Sequence, residues 1–126
     1  MAIYQRLKAW QRSHDLCLAV FKSTRFWPPE ERFGLTSQAR RAAHSVPANI
    51  AEGCAKKGRR EFRRYLNISL GSLSELSYTL FLAKDLGILS QEEWGSLEEL
   101  HQRAGSMTWL LYRSLLSKTP CPADSD

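Results

Sequence analysis

A dense group of cations is the part of this chain whose residue types could do chemistry. It comprises Lys56, Lys57, Arg59, Arg60, Arg63 and Arg64. Ammonium and guanidinium groups suit phosphate, and arginine can bind it through two parallel hydrogen bonds. The pattern therefore predicts that these side chains contact nucleic acid through its backbone.

The position of the cations along the chain supports this interpretation. The apolar pattern predicts a helix that begins near residue 59, and a cation in the first turn of a helix costs up to about 1 kcal/mol. Glu61 offsets only part of that cost, so a bound anion would explain the arrangement. A solvated basic surface is the alternative. No zinc-finger or RNA-recognition motif accompanies the cluster, so the sequence does not predict base readout.

Residues suited to enzymatic chemistry are present but are not grouped. His14, His44 and His101 fall on three different predicted helices, and no Ser–His–Asp or Cys–His arrangement follows from their spacing. Glu98-x-x-His101 resembles one unit of a di-iron bundle site, which needs two such units. There is no phosphate-binding loop and no dinucleotide-binding glycine pattern. The sequence therefore predicts a protein that is not an enzyme, with no catalytic residues, metal, cofactor or small-molecule substrate.

Composition limits the class of protein. The 126 residues are 43% hydrophobic and 25% charged, which is typical of one soluble domain with a real core. No apolar stretch approaches the roughly 20 residues that cross a bilayer, and the N-terminus lacks the apolar segment of a secretory signal. Cys17, Cys54 and Cys121 are an odd set without CxxC spacing, which indicates reduced thiols. We expect a cytoplasmic protein without membrane contact.

The net charge of +5 is unevenly distributed along the chain. Residues 1–64 contain 14 Lys/Arg and 5 Asp/Glu, whereas residues 65–126 contain 4 and 8. A basic half followed by an acidic half indicates either an anionic partner or head-to-tail packing between subunits.

Apolar residues recur at steps of three and four in four segments, which predicts four amphipathic helices. The first spans about residues 6–26 and the third about 59–86, while the fourth begins near Ser90, a good N-cap. The expected buried line of the first helix is Leu7, Trp10, His14, Cys17, Phe21 and Thr24. Short connections predict an all-α, up-down-up-down antiparallel four-helix bundle over residues 1–117, with a flexible tail at 118–126.

Pro47 lies inside the second predicted helix, where proline costs about 3 kcal/mol. The helix could break there and restart with Pro47 at its first position. The line Ala42, Val46, Asn49 keeps its register across the proline, which favours one helix kinked at Pro47.

The second and third helices should form a hairpin centred on Gly58. Arg41 and Glu75 are each 17 positions from that glycine, and Ser45 falls opposite Ser72. We therefore predict a polar ladder between the two helices, with Arg41–Glu75 as its central ion pair. Its predicted members are Arg41, Ser45, Asn49, Glu52, Ser72 and Glu75. These residues could instead be solvated surface charges that contribute little to the stability of the fold.

Two glycines and several aromatic residues in the second half indicate close contacts between helices. Gly71 and Gly105 each cost about 1 kcal/mol relative to alanine inside a helix, which close helix packing would offset. Four aromatic residues fall off the main apolar lines: Tyr78, Phe81, Trp94 and Trp109. Aromatic surface left uncovered in this way predicts a homo-oligomer.

The string Ser-Val-Pro-Ala-Asn-Ile-Ala-Glu-Gly at 45–53, with Glu61-Phe62 and Leu-Gly-Ser-Leu-Ser-Glu-Leu at 70–76, resembles a known family. It is similar to the bacterial four-helix-bundle proteins encoded in intervening sequences of 23S ribosomal RNA genes, which are related to accessory variability proteins of diversity-generating retroelements. The resemblance runs from about Trp10 to Leu89. It implies a ring-like homopentamer with a basic surface that contacts nucleic acid.

The resemblance also implies that certain residues have structural roles. They are Arg41, Ser45, Pro47, Asn49, Glu52, Gly53, Gly71, Ser72 and Glu75. The chain departs from the family pattern at Gly58, where a Ser or Thr helix cap is frequent, and at Ser69, where alanine is usual. The expected function is therefore binding of RNA or other nucleic acid by an oligomeric bundle. The alternative is a protein–protein scaffold whose basic surface docks an acidic partner or a neighbouring subunit.

Overall fold

A computed structural model describes residues 1–116, which fold into four α-helices and two short 3-10 turns. The helices are α1 (Lys8–Thr24), α2 (Leu35–Cys54), α3 (Arg59–Asp85) and α4 (Gln91–Ser114), and the turns are Ile3–Arg6 and Pro29–Glu31. The described residues contain no strand, which confirms the predicted all-α class. The predicted tail at 118–126 lies outside the described residues.

The helices are arranged as a square in which each packs on its neighbours in the chain. α1 packs on α2, α2 on α3 and α3 on α4, and α4 closes the square against α1, while the backbones of the diagonal pairs do not approach each other closely. Short connections reverse the chain between neighbours, which is the predicted up-down-up-down bundle. The first residues of α1 and α3 consequently lie at the same end of the bundle as the last residues of α2 and α4.

A line of mostly apolar residues along α3 is buried in the core. Its buried members are Leu66, Ser69, Leu73, Leu76, Leu80 and Ala83. The hydroxyl of Ser69 is satisfied because Oγ donates to the carbonyl of Val46 at 2.9 Å. Ser69 stands where alanine is usual in the family, and its side chain adds a hydrogen bond between α3 and α2.

The buried line of α1 shares only Thr24 with the predicted one. It consists of Ala9, Ser13, Leu16, Val20 and Thr24. Trp10 and His14 stack on each other at the edge, with ring centroids 4.8 Å apart, and Phe21 is 37% exposed beneath the Arg40 guanidinium. Small Ala9 and Ser13 let α1 approach its neighbours closely, so the bulky rings are displaced to the flank. Apolar spacing alone favoured the rings, and that prediction was wrong.

α2 continues through Pro47 as one helix from Leu35 to Cys54, so the helix does not break and restart at the proline. Pro47 is buried, as are Val46 and Ile50 on either side of it. Burial of this apolar segment against α3 helps to offset the hydrogen bond that proline removes. The kink at Pro47 stays a prediction.

Small residues bring the end of α2 close to the beginning of α3. A Cβ atom built on Gly53 would lie 2.8 Å from Tyr65 Cβ and 3.0 Å from Phe62 Cδ1, so only glycine fits without movement. Further along the same contact, the partly buried hydroxyls of Ser45 and Ser72 lie 2.7 Å apart. The helical hairpin that carries the cation cluster is therefore held by direct contact between backbones.

Replacing Gly53 with alanine should lower the free energy of unfolding by about 1–3 kcal/mol, because the added methyl group overlaps Tyr65 and overpacks the hairpin. Urea denaturation followed by circular dichroism measures the change. Gly95→Ala is the matched control, since nothing lies within 4 Å of a Cβ there. That control should be neutral or stabilising by up to about 1 kcal/mol. Equal effects of the two substitutions would contradict the proposed close approach.

Candidate nucleic-acid interface

The turn between α2 and α3 carries the first two predicted cations. Lys56 and Lys57 are exposed on it. Gly58 completes the turn with φ of +84°, a backbone conformation that favours glycine over the Ser or Thr cap expected there. The turn thus leaves both lysines exposed immediately before the first turn of α3.

Arg63 differs from its neighbours because its side chain is buried. Arg63 is only 3% exposed, and its Nη1 donates to the carbonyl oxygen of Leu115 at 2.7 Å. Leu115 is the C-cap of α4, where backbone carbonyls lack helical partners and carry partial negative charge. This arginine ties the beginning of α3 to the end of α4, and its burial does not fit the predicted nucleic-acid contact. Its spacing of three before Leu66 was the signal that it belonged to the buried face.

Arg64 and Lys56 flank an aromatic ring at the surface. Arg64 Nε lies 3.2 Å from Glu61 Oε2, and its guanidinium carbon is 4.7 Å from the Tyr65 ring centroid. The hydrogen bond to Glu61, together with its negative charge, raises the pKa of Arg64 further above its usual value. Lys56 Nζ is 5.5 Å from the centre of the same ring. Glu61 thus neutralises one cation of the cluster, while Tyr65 contacts two cations at once.

The fold adds cations from distant parts of the sequence to the same end of the bundle. Arg6 lies just before α1, Lys8 is the first residue of α1, and Arg113 is in the last turn of α4. All three side chains are exposed. We call the exposed cations at this end the basic pole: Arg6, Lys8, Lys56, Lys57, Arg59, Arg60, Arg64 and Arg113. Sequence reasoning missed the three that lie outside 56–64, although the antiparallel order of the helices was sufficient to place them.

A cleft of about 550 Å³ opens beside the basic pole between α3 and α4. Its walls are Arg60, Glu61, Arg63, Arg64, Asn67 and Tyr112. Guanidinium groups, an amide and a phenol are donors suited to phosphate oxygens, and Glu61 is the single carboxylate in the wall.

The predicted polar ladder is present in part. Arg41 Nη2 donates to Glu75 Oε2 at 3.1 Å, and the Ser45 and Ser72 hydroxyls are 2.7 Å apart. Asn49 Nδ2 donates to the Ser45 carbonyl at 2.8 Å. The Arg41 and Glu75 side chains are 69% and 44% exposed, so the ion pair lies at the surface whereas the serine pair is partly buried. Glu52 is exposed, and its place in the ladder stays a prediction.

His101 and Cys17 have roles in packing rather than in a reactive group. His101 Nε2 donates to the Leu73 carbonyl at 2.7 Å, which links α4 to α3. Burial raises the pKa of the Cys17 thiol, which disfavours the reactive thiolate. Within residues 1–116, no three His, Cys, Asp or Glu side chains come together as a metal site would require. None of the described helices is both long enough and apolar enough to cross a bilayer.

Comparison with known proteins agrees with this architecture. The family model of the 23S rRNA-intervening sequence protein matches residues 5–109. The chain belongs to this family. The crystal structure of a protein with unknown function from the S23 ribosomal protein family of Bacteroides thetaiotaomicron has the same fold, with a TM-score of 0.77 and 22% identity over 83% of this chain and 98% of that chain. A search of curated proteins finds no match. The resemblance seen in the sequence is confirmed, and neither the family nor this structural relative indicates an enzyme.

Replacing Arg63 with methionine should destabilise the bundle by about 1–3 kcal/mol, because the Leu115 carbonyl loses a charged donor at the end of α4. Thermal and urea unfolding measure the loss. Lys57→Met is the matched control on the exposed turn, and it should change stability by no more than about 0.5 kcal/mol. A neutral Arg63→Met would contradict a structural role for this side chain.

The Arg41–Glu75 pair should contribute little to stability despite its good geometry. A double-mutant cycle with Arg41→Ala and Glu75→Ala should give a coupling energy below about 1 kcal/mol, because both side chains are solvated. The coupling should fall further when salt is added. A coupling energy of about 2 kcal/mol or more would instead show that the polar ladder stabilises the packing of α2 on α3.

Proposed function

We propose that this protein binds RNA or another nucleic acid through the basic pole, without catalysing a reaction. The observation that carries the proposal is the gathering of exposed cations from three separate segments at one end of the bundle. The opposite end does not share this excess, because Glu30, Glu31, Asp85, Glu92 and Glu93 accompany its cations there. A concentrated positive surface attracts phosphate backbones and raises their association rate.

The expected mode of binding follows from the chemistry of the pole. Lys56 and Lys57 would contact phosphates as flexible point charges, whereas Arg59 and Arg60 can form two parallel hydrogen bonds. No described helix has the arrangement of a named base-reading module, so recognition would rest on backbone charge and shape. Arg63 is excluded from this surface because it is buried, and Arg64 would contact phosphate only in competition with Glu61.

The alternative proposal is a protein–protein scaffold in which the basic pole docks an acidic partner or a neighbouring subunit. The observation that favours a scaffold is the amount of large apolar surface left exposed, including Phe26 at 86% and Phe33 at 91%, although both lie at the end of the bundle opposite the basic pole. The homopentamer implied by the family resemblance belongs with this alternative as well as with nucleic-acid binding. Mass measurement in solution gives the number of subunits.

A filter-binding titration with a ribosomal RNA fragment tests the first proposal. Lys56→Glu/Lys57→Glu should weaken binding at least about tenfold and reduce the slope of log K against log salt by about 0.7 for each lysine that contacts a single strand. The matched control is Lys22→Glu/Arg25→Glu, which makes the same change in net charge at the opposite end of the bundle. It should bind nearly as the unmodified protein does.

Two results would contradict nucleic-acid binding at the basic pole. One is an equal loss of affinity in both double variants, which would indicate a response to net charge alone. The other is unchanged RNA affinity together with dissociation of the oligomer in Lys56→Glu/Lys57→Glu, which would favour the scaffold.

A further inference from the structure

Aromatic rings alternate with cations across the basic pole. Lys56 Nζ lies 5.5 Å from the centre of the Tyr65 ring, and the guanidinium carbon of Arg64 lies 4.7 Å from the same centre. Arg64 also lines the cleft between α3 and α4, whose α4 wall contains Tyr112. Trp109 stacks on Tyr112, with ring centroids 5.7 Å apart and ring planes inclined by 17°. A line of cations and rings therefore runs from the turn before α3 to the last turns of α4.

Contact with phosphate alone would not account for these rings. Phosphates are bound by cations and hydrogen-bond donors, whereas aromatic side chains bind the flat faces of bases. In a duplex the neighbouring base pairs cover those faces, so they become accessible only where a strand is unpaired. Cations interleaved with aromatic rings are accordingly typical of proteins that bind single strands.

The two stacked rings on α4 are placed where a base can reach them. Trp109 is 50% exposed, and Tyr112 is partly buried at the wall of the cleft. Because each ring holds the other in place, binding a base would cost little side-chain freedom. Arg113 follows Trp109 by one helical turn and is exposed, which places a further cation beside the rings.

The cleft beside these rings carries the other groups that a nucleotide requires. Its volume of about 550 Å³ is within the range of small-ligand sites. Arg60 and Asn67 are exposed on its α3 wall. A guanidinium group can hold a phosphate through two hydrogen bonds, and an amide can both donate to and accept from the edge of a base.

The charge of the cleft is positive even with its own carboxylate included. Three guanidinium groups and one carboxylate line it, which leaves a net charge of +2. Glu61 Oε2 lies 3.2 Å from Arg64 Nε, so this carboxylate is balanced within the chain. Arg63 is buried against the Leu115 carbonyl and would act on a ligand only through its field. Direct contact with phosphate in the cleft is therefore assigned to Arg60.

We infer that the cleft between α3 and α4 is a subsite for an unpaired nucleotide, whose base stacks on the Trp109–Tyr112 ring pair and whose phosphate binds Arg60. Neighbouring nucleotides continue along the line of cations and rings towards Tyr65 and Lys56. The inference rests on the proposed nucleic-acid binding and goes beyond it, because it selects single strands over duplexes and assigns the base to particular rings.

Replacement of the exposed ring tests the stacking. Trp109→Leu should weaken binding of a short single-stranded oligouridylate about fivefold or more in fluorescence anisotropy, whereas Trp109→Phe should keep most of the affinity because it retains a ring. The slope of log K against log salt should not change in Trp109→Leu, since no cation is lost. Tyr78→Leu is the matched control, because Tyr78 is 65% exposed in the half of α3 remote from the basic pole. It should bind as the unmodified protein does.

Two further ligands test whether the base itself is bound. An abasic strand with the same sugars and the same number of phosphates should bind the unmodified protein about fivefold more weakly or worse, and Trp109→Leu should reduce that preference. A duplex RNA should bind Trp109→Leu and the unmodified protein equally well, because its bases are already stacked. Lys56→Glu/Lys57→Glu should instead weaken the oligouridylate, the abasic strand and the duplex alike, since the contacts it removes are with phosphate.

Three outcomes would overturn the inference. The first is equal affinity for the base-containing and abasic strands with no effect of Trp109→Leu, which would remove the stacking but leave phosphate binding at the basic pole intact. The second is a Trp109→Leu variant whose folding or state of assembly changes along with its affinity, as circular dichroism and sedimentation without nucleic acid would reveal, which would assign the ring to packing. The third is an absence of binding to every nucleic acid, which would remove the proposed function as well.

Discussion

The contact between α2 and α3 is the interaction on which the other features depend. Gly53 lets the α2 backbone lie against Tyr65 and Phe62 of α3. Ser69 adds a hydrogen bond to the Val46 carbonyl across the same contact. Because side chains of this size leave little freedom in spacing or register, the hairpin turn is fixed in place. The lysines on that turn and the arginines after it acquire their positions from this packing.

Groups within the chain neutralise some of the cations at the beginning of α3. A helix N-terminus repels positive charge, so a row of cations there is unfavourable if nothing compensates it. Arg63 turns inward to the free carbonyl at the end of α4, which attracts it for the same electrostatic reason. Arg64 is held by Glu61 one turn earlier. Arg63 and Arg64 therefore interact within the bundle, and the case for an external anion depends on the exposed Lys56 and Lys57 in the turn.

The sequence predicted the helices and their order because strongly periodic apolar residues and clear end signals agree with each other. Ser90 caps α4 through a hydrogen bond from the Glu93 amide at 3.1 Å, as its spacing required. The symmetry of a short hairpin was sufficient to pair Arg41 with Glu75. The buried face of α1 was missed because the size of a side chain, rather than its hydropathy, decides which residues are buried there. The small Ser13 is fully buried, whereas Phe21 is partly exposed. Arg63 was grouped with the neighbouring cations because of its charge. Its spacing of three before Leu66 instead places it on the buried face of α3.

The candidate site could be predicted less completely than the fold, since it is assembled from segments far apart in the chain. Charge runs identify cations that are adjacent in sequence, but Arg6, Lys8 and Arg113 join the basic pole only through the antiparallel order of the helices. In a bundle, helix spacing decides which face a residue occupies, and topology decides which distant residues share its level. A surface becomes recognisable as a site where both agree, as they do at the basic pole.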